Sequence, residues 1–194
     1  MEPPSICCLY NLQTLCGVLV SNDQIAREFS ELTCLRKLQI ELKAWNPILS
    51  KACYILLSRL EDYFPGCITS ITLSASRIET DQLKILGESR CLWELKLKDD
   101  AFLLSELSCP RNSFPELRYF KISSLTNLEA CQIETGALQN LVRFSIHNCS
   151  KFRSTIDVLE HATRLQVLKL KGIELLPDIA DSCRNKNVSV ITKT

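Results

Sequence analysis

Residues 92–97 read Leu-Trp-Glu-Leu-Lys-Leu, and the spacing of the three leucines in this hexapeptide decides the fold. Leu95 and Leu97 are two positions apart, so on a β-strand their side chains point to the same side. Lys96 and Lys98 point to the other side of such a strand. The hexapeptide therefore predicts a short strand with one apolar side that needs a core and one polar side that faces solvent.

The same spacing, L-x-x-L-x-L with an aliphatic residue or Phe at each L, recurs along the chain. Its first positions fall at residues 12, 35, 68, 92, 117, 141, 165 and 188, so the successive steps are 23, 33, 24, 25, 24, 24 and 23 residues. Six of these seven steps lie within the period of about 20–29 residues that leucine-rich repeats have. The complete copies are Leu35-Leu38-Ile40, Ile68-Ile71-Leu73, Leu92-Leu95-Leu97, Leu117-Phe120-Ile122, Leu141-Phe144-Ile146 and Leu165-Leu168-Leu170, flanked by partial copies at Leu12-Leu15 and Val188-Ile191.

This periodicity predicts an α/β fold, a leucine-rich-repeat solenoid of horseshoe shape. A single turn cannot bury its own apolar side, so the turns must stack, and only several turns together form a stable core. The strands are expected to form a concave parallel sheet, with short helices and loops on the convex side. We predict a single domain over residues 1–194 with about eight turns.

Between the predicted strands the apolar spacing changes to three or four residues, which is typical of helices. This spacing predicts short helices at Ile25-Phe29-Leu32, Leu83-Leu86 and Ile156-Leu159, the last with Ser154 and Asp157 placed for its N-terminal cap. The 33-residue step predicts a longer helix that starts near Pro47 and stops at Pro65-Gly66.

The overall composition is that of an ordinary folded protein. The formal net charge is +1, so no global field drives the chain toward nucleic acid or anionic membranes. No apolar run approaches the roughly 18–20 residues of a membrane-spanning helix. A secretion signal begins with basic residues and continues with an apolar stretch. Here Glu2 stands in the first part, and Asn11 and Gln13 interrupt the second. We therefore expect a cytoplasmic protein that does not span a membrane and does not bind nucleic acid.

Eleven cysteines are the unusual feature of the composition, and none forms a CxxC pair. Cys34, Cys67 and Cys91 each precede the first position of a repeat by one residue, so they are expected to stack on successive turns. A zinc site needs near-tetrahedral ligands, which such a column does not offer. A disulfide is disfavoured in a reducing compartment. Packed core thiols are the expected interpretation, and no metal is predicted.

The sequence offers no clear arrangement for catalysis or for nucleotide binding. His147 and His161 are the only histidines; Asp157 has the spacing to share a helix face with His161, and Cys149 follows His147 by two residues. A Cys–His nucleophile needs a geometry that this spacing does not provide. The five glycines are too dispersed for a G-x-x-x-x-G-K-[ST] loop. We therefore predict no enzymatic activity, no cofactor, and no binding of ATP or ADP by this chain.

Two N-terminal stretches resemble a known family. PPSICCLYNLQTLCGVLV at residues 3–20 and REFSELTCLRKLQIEL at residues 27–42 are similar to the leucine-rich-repeat region of plant nucleotide-binding, leucine-rich-repeat disease-resistance proteins, especially those of the coiled-coil class. The resemblance rests on the series Pro4, Ile6, Leu9, Leu12 and Leu15, which Leu176-Pro177-Asp178-Ile179 repeats in part.

The resemblance implies a role in sensing pathogen effectors and in restraining a nucleotide-driven switch. The chain departs from that family because it contains no nucleotide-binding domain. Met1 also falls within a repeat, with no cap before the first strand. The expectation is therefore a gene fragment, a truncated product or a wrongly delimited gene that lacks an upstream nucleotide-binding domain.

The outward positions of the later strands predict a basic concave face. Neighbouring strands lie roughly 4.8 Å apart, so Lys96 and Lys121 are expected side by side, with Arg143 and Lys169 near them. Such a face would match an acidic protein surface, although a solvated strand face is often rich in Lys, Ser and Thr for no functional reason. The predicted partner-binding residues are Trp93, Lys96, Lys98, Tyr119, Lys121, Arg143, His147, Lys169 and Lys171.

Two functions follow from the fold and the resemblance. The first is a protein-recognition module of a plant intracellular immune receptor, whose partner is a pathogen effector or another domain of the same receptor. The alternative is a stand-alone leucine-rich-repeat scaffold or substrate adaptor unrelated to immunity. Upstream nucleotide-binding sequence would distinguish the first from the second.

Overall fold

Eight short parallel strands form one sheet in the computed structural model, which describes residues 11–18, 32, 34–41, 68–153, 156–173, 181, 183–186 and 188–193. Seven of the strands coincide with a predicted copy of the repeat, so the predicted leucine-rich-repeat solenoid is confirmed. The predicted copy Val188-Ile191 is wrong by one residue, because Val190 and not Ile191 pairs with Leu168, and Ile191 is 40% exposed. The strands of this sheet are β1 (Thr14–Val18), β2 (Lys37–Glu41), β3 (Ser70–Ser74), β4 (Glu94–Lys98), β6 (Tyr119–Ser123), β8 (Arg143–His147), β9 (Val167–Lys171) and β10 (Ser189–Lys193). Two further strands, β5 (Glu106–Cys109) and β7 (Ala130–Ile133), lie outside it.

The strands of the large sheet follow one another in chain order, and the repeat positions stand in register from turn to turn. Leu95 pairs with Phe120, Phe120 with Phe144, and Phe144 with Leu168. The third positions, such as Leu97 and Ile122, form a second column beside the first. Both columns are buried in one continuous apolar core, so each turn covers the apolar side of the next.

Aromatic rings fill the middle of this core. The rings of Phe114 and Phe120 have centroids 6.3 Å apart, and those of Phe120 and Phe144 are 5.5 Å apart. These separations lie within the range of favourable aromatic pairs. The contact joins three successive segments of the chain, because Phe114 comes from the loop before β6, Phe120 from β6 and Phe144 from β8.

Left-handed backbone marks the end of five strands of the large sheet, namely β3, β4, β6, β8 and β9. Ala75, Asp99, Ser124 and Asn148 directly follow β3, β4, β6 and β8, and each has φ between 52° and 53°. Gly172 holds the same place after β9 with φ of 63°. Asn and Asp tolerate this conformation better than most residues do. The chain therefore leaves the sheet by the same bend in each of these turns.

Two of the predicted helices are confirmed. Helix α1 (Thr80–Glu88) buries Leu83 and Leu86, and the backbone N–H of Glu79 donates a hydrogen bond of 2.8 Å to the side chain of Gln82 at its start. Helix α2 (Ile156–His161) comes before β9 and buries Leu159. α1 has nine residues and α2 has six. The three- and four-residue spacing of apolar residues that predicted these helices therefore extends over only one or two helical turns.

Two other convex segments form strands, which the sequence analysis did not anticipate. β5 and β7 pair in parallel as a separate two-stranded sheet. Leu107 and Cys109 on β5, and Cys131 and Ile133 on β7, are buried and stand two residues apart. This period of two fits strands, but each segment is only four residues long. A pattern so short does not separate a strand from a loop.

Several sequence predictions lie outside the described residues. They include the helix around Ile25 and Phe29, the longer helix between Pro47 and Pro65, and the cap residue Ser154. The resemblance segments around Pro4 and at residues 176–179 also lie outside.

Leu97→Ala should lower the free energy of unfolding by about 2–5 kcal/mol, because it leaves a cavity in a fully buried column. Leu104→Ala makes the same chemical change at a side chain that is 42% exposed, and it should cost less than about 1 kcal/mol. Urea denaturation of the two variants checks the prediction. Equal unfolding midpoints for the two variants would contradict the stacked core.

Candidate functional site

The outward side chains of β3, β4, β6, β8 and β9 form three rows across the concave face. The rows arise because residues in register on parallel strands lie side by side. The first row is Ser70, Glu94, Tyr119, Arg143 and Val167, the middle row is Thr72, Lys96, Lys121, Ser145 and Lys169, and the last row is Ser74, Lys98, Ser123, His147 and Lys171. Eight of the nine sequence-predicted site residues lie in these rows, and Trp93 directly precedes β4.

Lysines accumulate in the middle and last rows. Lys96 and Lys121 are direct cross-strand neighbours, and Ser145 separates Lys121 from Lys169. The pKa of Lys121 lies below its ordinary value because its ammonium group is partly buried, and because Lys98, Lys96 and Lys169 repel its charge. The stack therefore brings together positive charges from strands that are far apart in sequence, such as Lys96 and Lys121, which are 25 residues apart.

Lys96 differs from the other lysines because it has a partner on its own strand. Its Nζ lies 2.7 Å from Oε1 of Glu94, whose Oε2 accepts a hydrogen bond of 2.7 Å from the hydroxyl of Ser70. Burial alone would raise the pKa of Glu94, but the bonds from Lys96 and Ser70, with the charges of Lys96 and Lys37, outweigh it and lower the pKa. This pair was missed in the sequence analysis, and it neutralises part of the predicted patch.

Arginines cover the two aromatic side chains at the start of the strands. Arg118 lies over Trp93 with its Cζ 6.0 Å from the ring centroid, and Arg143 lies over Tyr119 at 5.6 Å. These are cation–π distances. Arg118 was not among the predicted site residues, yet it holds the same repeat position as Trp93 one turn later, and that correspondence is the signal that identifies it.

His147 stands at the end of β8, between Ser123 and Lys171. Its pKa lies below the ordinary value because the imidazole is partly buried, and because Lys121, Lys171 and Lys169 repel the protonated form. The ring is therefore mostly neutral at pH 7 in the unliganded protein. A nearby anion would reverse part of this shift.

Within the described residues, the cysteines comprise buried thiols, two thiols that are more accessible, and one disulfide-bonded residue. Cys109, Cys131, Cys149 and Cys183 are buried, Cys34 is half-buried, and Cys16 is exposed. Cys91 is disulfide-bonded, so the expectation of a packed thiol is wrong at this position. Cys67 lies outside the described residues.

Cys149 is the thiol that the sequence places two residues after His147. Its Sγ donates a hydrogen bond of 3.4 Å to the carbonyl oxygen of His147, not to the imidazole. Burial raises the pKa of the thiol, and the charge of Asp100 adds to this, although backbone hydrogen bonds from Leu125 and Ser124 act in the other direction. The thiol is therefore a structural group of the turn. The side chain of Asp157, proposed as a neighbour of His161, lies outside the described residues.

The described part of the chain contains no group of three or more His, Cys, Asp or Glu residues arranged to hold a metal ion. None of its helices is long and apolar enough to cross a membrane.

The register, the repeat and the buried columns define a leucine-rich-repeat solenoid, a class of protein that presents a curved sheet to its partners. No protein-family model matches the chain. Curated proteins of Arabidopsis thaliana are similar to it. It is 32% identical over 120 residues to "Disease resistance RPP8-like protein 3" and 30% identical over 122 residues to "Disease resistance protein RPP8".

These matches cover 61% and 62% of this chain, and a third, to "Probable disease resistance protein RF45", is 29% identical over 143 residues and covers 74%. The resemblance to plant disease-resistance proteins is therefore confirmed, and the chain is homologous to a segment of such proteins. In all three cases the matched segment is 13% of the relative's length, so the chain spans a small part of the proteins that it matches.

Native alkylation tests the packing of the thiols. Burial raises the pKa of Cys109 to about 12, so its thiolate fraction at pH 8 is on the order of one in ten thousand. Iodoacetamide at pH 8 should therefore modify the exposed Cys16 rapidly and leave Cys109 and Cys149 unmodified over the same time. Peptide mapping by mass spectrometry measures the three rates, with urea-unfolded protein as the control in which they become similar. Selective fast labelling of Cys149 would instead indicate an activated nucleophile.

Proposed function

We propose that this chain is the protein-recognition module of a plant intracellular immune receptor and that its concave face binds the partner. The observation that carries the proposal is a group of lysines in the middle and last rows of the concave face. Lys98, Lys121, Lys169 and Lys171 form no ion pair with any carboxylate in the described ranges. The homology to disease-resistance proteins gives this surface its biological setting.

The charge of the face indicates an acidic partner. The net charge of the whole chain is only +1, so the patch is a local concentration and not a consequence of a basic protein. Complementary charge accelerates association and excludes partners of the wrong sign. The lysines stand on strands whose positions the core fixes, so the pattern is presented with little conformational cost.

The aromatic side chains supply anchors beside this charge. Trp93 is 49% exposed and Tyr119 is 40% exposed, which is unusual for such large apolar groups in the described residues. Trp, Tyr and Arg are the residue types that most often dominate the energy of protein interfaces. Arg118 and Arg143 stack on these rings and hold them in place. The proposed binding surface therefore contains anchors at the start of β4 and β6 and basic groups along the middle and end of the strands.

The partner is either a pathogen effector or an acidic segment of another domain of the same receptor. In the first case the module senses infection, and in the second it restrains the receptor switch. We propose that residues 1–194 act as one leucine-rich-repeat domain of a larger cytoplasmic receptor with an upstream nucleotide-binding domain, without catalysis of its own. A stand-alone scaffold or adaptor remains the alternative, and the same face would then bind an acidic client protein.

Site-specific photo-crosslinking in plant cells tests the proposed surface. A benzophenone amino acid at Tyr119 should form an adduct with one defined protein, because this position lies on the concave face. The same group at Leu104, an exposed position outside the sheet, should not form that adduct. Mass spectrometry of the adduct then separates an effector from a receptor domain. Adducts of the same protein at both positions would refute binding through the concave face.

Charge reversal at Lys96, Lys121 and Lys169 should weaken binding of the cross-linked partner by more than about tenfold at low salt, and by less at high salt because ions screen the attraction. The matched control reverses Lys84, Lys151 and Arg184, which are exposed, lie outside the strands and change the net charge equally. Surface plasmon resonance over a salt series measures both variants. The same loss in both variants would show that net charge, and not this face, determines binding.

A further inference from the structure

The middle row of the concave face contains a small residue where its neighbours are long. Ser145 on β8 stands in register between Lys121 on β6 and Lys169 on β9. Arg143 and His147 flank it on its own strand, two residues away on either side, and point to the same face. These five residues form what we call the Ser145 cradle: a serine floor with a basic side chain or an imidazole on each of its four sides.

The cradle is a real depression and not only a set of neighbours. It has a volume of about 200 Å³. The four flanking side chains line it together with Tyr119, Phe120 and the ion pair of Glu94 and Lys96. Ser145 itself is only 5% exposed. Among the described residues no group forms a hydrogen bond with its hydroxyl. Among the described residues the one fully buried side-chain oxygen without a partner is that of Ser113, so the Ser145 hydroxyl opens onto the depression and offers a hydrogen-bonding group to whatever enters it.

The charges around the floor are uncompensated. Lys121, Lys169 and Arg143 form no ion pair with a carboxylate of the described chain, and the nearest acid, Glu94, is committed to Lys96 and Ser70. Lys171 in the last row adds positive charge directly beside His147. The pKa of Lys121 and that of His147 both lie below their ordinary values, with neighbouring lysines among the causes. An anion in the cradle would remove this repulsion.

The number and arrangement of the donors favour a phosphate monoester over a carboxylate. A phosphate monoester carries about −1.5 to −2 charges at pH 7 and three strong acceptor oxygens. The two lysines stand on strands on opposite sides of Ser145, with their backbones roughly 9–10 Å apart, so the ammonium groups of both side chains can reach one compact anion over the serine. Arg143 adds a fork of donors suited to phosphate. A single carboxylate has two oxygens and one charge, and it would leave at least one of these donors without a partner.

The geometry points to a phosphate-monoester site in the Ser145 cradle that recognises a phosphorylated segment of the partner protein. The assignment rests on the proposed function, since it uses the same concave face. It adds that the acidic feature of the partner is a phosphorylated side chain, and that modification of the partner switches binding on.

Nuclear magnetic resonance on the full chain gives a direct test with small probes. The chain has two histidines, so His161 on α2 serves as an internal control for His147. Phenyl phosphate should shift the imidazole signals of His147 and raise its pKa, because the bound anion offsets the charges of Lys121, Lys171 and Lys169. His161 should not respond. Benzoate at the same concentration should shift His147 at least fivefold less, and equal shifts from the two probes would overturn the assignment to phosphate.

A peptide library tests the protein source of the phosphate. Peptides with a fixed phosphoserine and random flanking residues should bind at least tenfold more tightly than the same library with serine or glutamate at that position. Equal binding of the phosphoserine and glutamate libraries would overturn phosphate recognition. Binding of the phosphoserine library no tighter than that of phenyl phosphate would overturn the assignment to a protein segment.

Two variants locate the site. Lys121→Met with Lys169→Met keeps the apolar stems of both side chains and should weaken phosphopeptide binding more than tenfold, and Ser145→Leu should do the same by filling the floor. Lys84→Met with Lys151→Met is the matched control and should bind as the unchanged chain does. Unchanged binding by the double variant at the cradle would overturn the site. If phosphate binding fails but the Tyr119 adduct still forms and is still sensitive to charge reversal, only the phosphate assignment is overturned. If the adduct is lost as well, the proposed function is overturned too.

Discussion

The parallel stacking of one turn on the next is the interaction on which the rest of this structure depends. Just before the strands, a single line of backbone hydrogen bonds joins the turns: Trp93 donates to Thr69, Arg118 to Trp93, Val142 to Arg118 and Gln166 to Val142, each at 2.9 Å. After the strands, Asp99 donates to Ser123, Ser124 to His147 and Asn148 to Lys171. The apolar columns lie between these two lines. No turn satisfies its backbone or buries its leucines without its neighbours, so the unit of stability is the stack and not the repeat.

The same constraint builds the candidate site. Strand stacking places residues 24 or 25 positions apart in sequence within one strand spacing of each other, and the alternation of each strand sends its polar residues to one face. Lysines that would be independent in an extended chain become neighbours that alter one another's pKa values. The aromatic residues and their arginine partners follow the same rule, since Trp93 and Arg118 occupy one repeat position in successive turns. The charge density of the face is thus a product of the fold and of the choice of residue at a few repeat positions.

The convex side is less constrained, and there the structure departs from simple expectation. The inner columns must keep one register, but the segments that close each turn need only cover the core and return the chain. α1 and α2 do this with helices, whereas β5 and β7 do it with a second, two-stranded sheet. The alternation of Leu107 with Cys109 and of Cys131 with Ile133 is visible once the strands are known. It is too short to predict them, because four residues with two buried positions fit a strand, a loop or one turn of helix.

The sequence by itself determined the solenoid, the parallel sheet, the register of its strands as far as β9 and the list of side chains on the concave face, but not the register of β10, where Val190 takes the inward place predicted for Ile191. It did so because the period of the repeat fixes which residues stack, and the period of two fixes which way they point. Only the tertiary structure decided what those side chains do to one another. The pairing of Lys96 with Glu94, the packing of Arg118 on Trp93, the disulfide at Cys91 and the depression over Ser145 all depend on side-chain conformations and on neighbours from other turns. The periodicity of the sequence specifies where each side chain lies and to which face it points. The contacts of that side chain and its pKa depend on the neighbours that other turns bring to it.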